Sequence, residues 1–499
     1  MQEEKNPHQS ARDAGNTPKL VAITGTPSHS AAAALIDRHL PGLFLALGLL
    51  LGTLYAFVMP PLQIADEIMH FARAYSVSRG VCVASPDIDM PESFVELNER
   101  FPDRLEQHGK ISIQDLWLAL DLPLNDRVLA GNGRPRSLAG FINQNVYHCL
   151  PYLPEAVFLN AGRRAALPPL VLMYLCRIVN LAFYVWVTFL ALRLLPDFRI
   201  VLFCAALMPM ALHQAASVSA DSTIIAVSFL FAAYVFRLAF AKTPEKLGIR
   251  RYLVLAALIL FLVLSKTMIC VVFLLFLIPA ESFPGRRSRW LVIAAYFLLA
   301  IACAAVWQQV NQPNMQRLAE QRAAQEIDIA GNVRFMREHP VELVFIFARC
   351  AVELRYLFAN LRGFVGTLGW LTVQLPSWLV CIYFALLVTA AATQTRATRF
   401  SLAVRGLVLV FVAAAVANTL AAAWAVNVPE VVIDKPLLWE QARVPMQGRY
   451  WIPIAFPMLV LFSTGRTRLN PLYFALIAAG VAVLASAVAL YMVGTTYYL

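Results

Sequence analysis

Long apolar runs alternate with short basic turns along most of this chain. The first run is Leu40 to Met59. A helix needs about 20 apolar residues to cross the hydrocarbon of a bilayer. By that measure roughly eleven runs read as spans: 40–59, 168–192, 200–217, 222–241, 252–265, 267–283, 290–308, 377–395, 403–426, 450–464 and 471–495. The pair 252–265 and 267–283 is short in both halves and could form one bent span. The pattern predicts an all-α polytopic membrane protein with about 11 transmembrane helices, arranged as a single transmembrane domain over 38–499. Residues 1–37 are mostly polar and rich in Ser, Thr, Ala and Pro. They predict a disordered tail, too polar for a signal peptide, so that the first span is an uncleaved anchor.

Two segments between runs are not simple turns. Residues 61–167 are too many for a plain connection and predict a large loop with short helices of its own, polar ones over Pro91–Leu122. Its end, Asn143 to Pro154, is aromatic and proline-rich and suits an interface. Within 309–376, the stretch 341–361 is apolar but carries Arg349, Glu353 and Arg355. A full crossing there would reverse every later turn, so it reads as interfacial or re-entrant.

Composition sharpens the class. The chain is 60% hydrophobic and 14% charged, whereas a soluble domain is nearer half and a quarter. Net charge is +11, but the basic residues are spread through the short turns. That distribution fits membrane orientation and excludes a nucleic-acid partner. With a cytoplasmic N-terminus, one side collects Arg193 and Arg199, Lys242, Lys246, Arg250 and Arg251, Arg286, Arg287 and Arg289, Arg396, Arg399 and Arg405, and Arg466 and Arg468. The large loop, on the other side, holds the acids Asp87, Asp89, Glu92, Glu96, Glu99 and Asp103. No Cys-x-x-Cys occurs among the eight cysteines. Cys82 and Cys149 both lie in the large loop and could pair in an oxidising compartment.

The candidate chemistry begins at Pro60-Pro61, which end the first run. A helix then starts near Ala65. At about 100° per residue, Asp66, His70 and Arg73 share one arc, with Ile68, Phe71, Ala72 and Tyr75 opposite. A solvated interfacial helix with an acidic first turn fits the same residues. Other polar groups collect where the same ends of the spans should lie: His213 and Gln214, Asp221 and Lys266, with Arg177 deeper in the second span. Ionisable groups at membrane depth face a cavity or a partner. The plainer readings are a core histidine, a helix N-terminal acid, an interface charge and a structural ion pair. Late in the chain, Gln447-Gly448-Arg449-Tyr450-Trp451 suits phosphate contact, or an interfacial anchor. In Gly363 to Leu371, repeated glycines permit tight turns or close backbone approach. Gly-x-Ser-x-Gly, His-Glu-x-x-His and Walker motifs are absent from the sequence.

Taken together, Asp66-Glu67-x-x-His70-Phe71, Arg177, Met208-Pro209, Ser219-x-Asp221, Lys266, Gly369-Trp370-Leu371 and Gln447-Gly448-Arg449-Tyr450-x-x-Pro453 resemble a bacterial family of predicted membrane proteins, domain of unknown function 2142. Where that family has proline, this chain has Ala65 or Ile68. The family's layout is similar to that of the C-type (GT-C) glycosyltransferases. The resemblance implies transfer of a sugar from a polyprenyl-phosphate donor to a glycan or lipid acceptor, on the outer face of the bacterial inner membrane. It implies Asp66 as base, Glu67 as alternative base or metal ligand, and His70 to orient the acid or bind acceptor. Arg449, Lys266 and Arg177, with Gln447 and Tyr450, would bind the donor phosphate. Asp221, His213, Trp370 and Arg73 would contact substrate. A divalent cation, Mg or Mn, on Asp66 and Glu67 is compatible, although no complete ligand set indicates one. A transporter or flippase, and a non-catalytic envelope-assembly protein, are the alternatives.

Overall fold

The computed structural model describes residues 27–84, 90–127, 143–195, 197–393, 401–429, 444–464 and 469–499. Most of the expected tail, together with Asp87, Asp89, Arg396, Arg399, Arg466 and Arg468, lies outside the described residues. Helix α1 spans Pro27–Val58. It therefore begins inside the stretch read as tail, where Ala31 to Ala34 favour helix. The large loop folds as α2 (Glu67–Ser78), α3 (Glu92–Arg100), α4 (Ile113–Leu120) and α5 (Leu153–Arg164). The bundle continues through α6 (Pro169–Leu194), α7 (Arg199–Ala206), α8 (Pro209–Ala215), α9 (Ala220–Ala239), α10 (Ile249–Lys266) and α11 (Arg286–Val310). Next come α12 (Gln312–Ala323), α13 (Ile329–Glu338), α14 (Pro340–Val352) and α15 (Leu354–Gly366). Strands β1 (Thr367–Leu368) and β2 (Val373–Gln374) pair antiparallel, and α16 (Ser377–Ala392), α17 (Leu402–Asn427), α18 (Ala455–Val460) and α19 (Pro471–Tyr497) complete the described elements.

Six of these helices are long and apolar enough to cross a membrane: the Arg38–Val58 part of α1, then α6, α9, α11, α17 and α19. The other expected spans are shorter or broken. The run 200–217 is split into α7 and α8 at Met208-Pro209, because proline fits the first turn of a helix and not its interior. Thr267, left-handed at φ 51°, stops α10, and Ile269–Leu277 follows as a 3-10 helix. Residues 252–283 are therefore two segments and not one bent span. The run 450–464 is a 3-10 turn, Gly448–Ile454, followed by the six-residue α18. The stretch 341–361 is divided between α14 and α15, which meet at Glu353.

The loop helices share a core with the first turns of α6 and α9, in which Phe71 stacks on Phe94 at 4.0 Å between ring centroids. Cys82 and Cys149 form a disulfide, with Cα atoms 4.9 Å apart. The loop also closes over the last helix. Lys110 Nζ donates to the carbonyls of Thr495 and Thr496, and the Ile111 N–H donates to Tyr497. These bonds satisfy carbonyls left over at the end of α19.

Candidate functional site

The turn Pro60–Asp66 delivers the first site residue. Asp66 sits at φ 66°, a left-handed conformation that Asp tolerates better than most residues. It precedes α2 but caps no N–H with its side chain. The carboxylate is thus left for a partner outside the helix, and it lies 3.7 Å from the Arg449 guanidinium.

Helix α2 itself is not solvated. Glu67 through Tyr75 are all buried, so the expectation of a polar face at the membrane surface is corrected. The three polar side chains expected to share that arc with Asp66, or to flank it, go to different places. Glu67 meets Arg177 through both carboxylate oxygens, at 2.8 and 2.6 Å, and accepts the Val218 N–H as well. Arg177 spends its remaining donors on the carbonyls of Ala56, Met59 and Pro60. All five guanidinium N–H groups are used. Arg177 has none to offer a phosphate, and Glu67 is sealed from solvent. Arg73 donates to the carbonyls of Val81, Cys82 and Tyr147, so it ties α2 to the disulfide-linked segments and not to a ligand.

His70 remains by the site. Its Nδ1 is 2.7 Å from the Tyr152 hydroxyl. Burial pushes its pKa down to about 4, outweighing the upward pull of Asp66 and Asp221. It is neutral at neutral pH. Opposite it, the Ser219 hydroxyl accepts the Asp221 N–H at the start of α9, and the Asp221 carboxylate takes Lys266 at 2.5 Å. Tyr450 lies between the cations: Lys266 is 5.2 Å and Arg449 5.6 Å from its ring centroid.

Arg449 is held by its backbone. A side chain at Gly448 would collide with the Asn360 carbonyl and the Phe364 N–H of α15, and one at Gly363 would come 2.9 Å from the Gly448 nitrogen. Here glycine serves close packing of two backbones. Arg449 is 7% exposed, its Nε is buried without a partner, and so is Gln447 Oε1. Such groups are open to a water or a ligand.

The family model described as "Predicted membrane protein (DUF2142)" matches residues 49–459. The chain belongs to this family. No curated protein and no solved structure matches it. Asp66, His70, Asp221, Lys266, Arg449 and Tyr450 all lie inside the part matched to DUF2142.

Two further residues named from the sequence turn out to brace this DUF2142 site. His213 is 1% exposed and its Nε2 accepts the Gly369 N–H at 3.3 Å, which anchors the β1–β2 hairpin. At the tip of that hairpin Trp370 donates from Nε1 to the Leu62 carbonyl, packing it on the turn that carries Asp66.

Two residues of the site carry no sequence signal of their own. Tyr147, in the aromatic 143–154 stretch, stands edge-on to His70 at 5.8 Å. Burial pushes its hydroxyl up to about 12; Lys266 opposes this, and Asp221, Tyr450 and Asp66 add to it. Arg322 of α12 is near enough to Asp66 and Tyr450 to feel both, while burial disfavours its charge. Nothing in Gln321-Arg322-Ala323 singles it out. For a cation, Asp66 offers a carboxylate but Glu67 does not. Among the described residues the grouped ligand types are Cys82, His148 and Cys149, whose two sulfurs are joined to each other.

Proposed function

We propose that this membrane protein is a glycosyltransferase of the GT-C type, moving a sugar from a polyprenyl-phosphate donor to an envelope glycan or lipid. The observation that carries this reading is the meeting of Asp66 and Arg449, one from each end of the matched region, at 3.7 Å. Displacing a lipid phosphate from a sugar needs a carboxylate at the acceptor hydroxyl and fixed positive charge at the leaving group. Asp66 meets the hydroxyl. Arg449, with its unpartnered Nε, and Lys266 meet the phosphate, and Tyr450 lines the space between them. In a site largely closed to water, such preset charges stabilise the leaving anion far more than they would in solution. Asp221 fixes the Lys266 ammonium, and neutral His70 packs against the acceptor side.

Two observations support an outward-facing site. The Cys82–Cys149 disulfide belongs to an oxidising compartment. The same loop covers the end of α19, so loop and site share one end of the bundle. The exposed apolar residues Val344, Phe345 and Leu354 of α14 and α15 suit contact with lipid chains beside the site. Clustering of the polar groups at one end favours surface chemistry over a transporter, whose polar residues should continue to the bilayer midplane.

The test is direct. Asp66→Asn and Arg449→Ala should each abolish sugar transfer from polyprenyl-phosphate donors in isolated membranes, with protein level retained. Full activity in both variants would overturn the reading.

A further inference from the structure

Gln63, three residues before Asp66, is fully buried. Its side-chain amide donates to the Pro102 carbonyl at 2.9 Å, and its Oε1 accepts the Leu105 N–H at 3.0 Å. Those two bonds bracket Asp103. Arg104, left-handed at φ 54°, completes the bend. One side chain of the Asp66 turn therefore clamps the backbone segment that carries a second carboxylate.

The two acids differ in what surrounds them. Asp66 has Arg449 within 3.7 Å. Asp103 is half-buried, and its Oδ1 is buried without a hydrogen-bond partner. Burial, and then the neighbouring Asp66, push the Asp103 carboxyl up to about 6, against a smaller pull from Arg104. Close carboxylates resist double ionisation. Arg449, Arg322, His70 and Tyr147 also face Asp66, and Glu106, on the Asp103 segment, faces Tyr497 at the end of α19.

We propose that Asp103 is the proton acceptor of the transfer reaction, while Asp66, 3.7 Å from the Arg449 guanidinium, grips and orients the acceptor hydroxyl. This rests on the glycosyl-transfer reading above. In the step, the hydroxyl oxygen bonds to the anomeric carbon of the donor sugar. The bond from that carbon to the phosphate oxygen breaks, and the polyprenyl phosphate leaves with its electron pair. The hydroxyl proton passes to the Asp103 carboxylate, which returns it to water before the next turnover. Nothing is oxidised or reduced. A base whose affinity for protons lies near the working pH is well matched to this task.

Two measurements on the purified full chain test it. The first is an infrared pH titration of the carboxyl C=O stretch. Wild type should show a carboxyl titrating near pH 6 that disappears in Asp103→Asn. The second is release of polyprenyl phosphate from a panel of synthetic polyprenyl-phosphate hexoses and pentoses, read by mass spectrometry. Asp103→Asn should lower release by about 10²–10⁴-fold, and Asp103→Glu should recover part of it with a displaced acid limb. An active wild type with an unaltered rate and pH profile in Asp103→Asn would overturn the role of Asp103 alone. So would a band near pH 6 that persists in the variant. A wild type inactive on every donor would instead overturn the glycosyl-transfer reading, and this proposal with it.

Discussion

Glu67 and Arg177 face each other through two hydrogen bonds, at 2.8 and 2.6 Å, with both side chains completely buried. Removing one partner of a buried pair strands the other charge, at a cost of about 3–5 kcal/mol. Arg177→Met and Glu67→Gln should therefore lose folded protein from detergent extracts. Asp66→Asn, next in sequence to Glu67, should not. Size-exclusion chromatography of the extracted protein separates these outcomes, and an unchanged profile for Arg177→Met would contradict the structural role.

Gly448 permits contact between the Gln447–Tyr450 turn and α15. Gly448→Ala should cost about 1–3 kcal/mol of overpacking and move Arg449 away from Asp66. Gly406→Ala is the control, since a methyl group there meets nothing within 4 Å. Thermal unfolding in detergent should show a lowered midpoint for the first variant and none for the second.

The disulfide gives a covalent prediction. Under denaturing conditions without reductant, alkylation should label six cysteines, Cys176, Cys204, Cys270, Cys303, Cys350 and Cys381, as read by intact mass. Reduction first should add Cys82 and Cys149. Cys82→Ser should destabilise the protein by about 2–4 kcal/mol, and it should do so through the segment that Arg73 holds.

His70 predicts a pH effect of definite sign. Its folded pKa of about 4 lies below the ordinary 6.5. Between those values the unfolded chain binds a proton that the folded chain refuses, so stability falls as pH drops from 6.5 toward 4. Asp103, raised to about 6, acts in the opposite sense, so the informative quantity is the difference between wild type and variant. His70→Gln should flatten the decline in melting temperature from pH 7 to pH 5. An identical slope would show that His70 is not held neutral.

Much of the helical layout was legible because length and apolarity alone decide it. The runs at 40–59, 168–192, 222–241, 290–308, 403–426 and 471–495 all became long helices. The breaks were harder to see. An apolar 3-10 run such as Ile269–Leu277 has the composition of a span, and only the conformation at Thr267 divides it from α10. Within the site, residue type and position along the chain singled out Asp66, His70, Asp221, Lys266 and Arg449. They could not assign partners. Asp66 and Glu67 are adjacent and chemically alike, yet the helix turn aims one at Arg449 and the other at Arg177. Arg73 and His213 likewise proved to brace the fold. Asp103, Tyr147 and Arg322 stood in no motif, because tertiary contacts such as the Gln63 clamp bring them in.

The most direct test of the account is the lipid that purifies with the protein. Wild type extracted in mild detergent should carry a polyprenyl monophosphate, identified by mass spectrometry, and Arg449→Ala should carry at least about tenfold less, the equivalent of about 1.4 kcal/mol of lost phosphate binding. Absence of that lipid from wild type, or equal amounts in the two proteins, would contradict a phosphate site at Arg449.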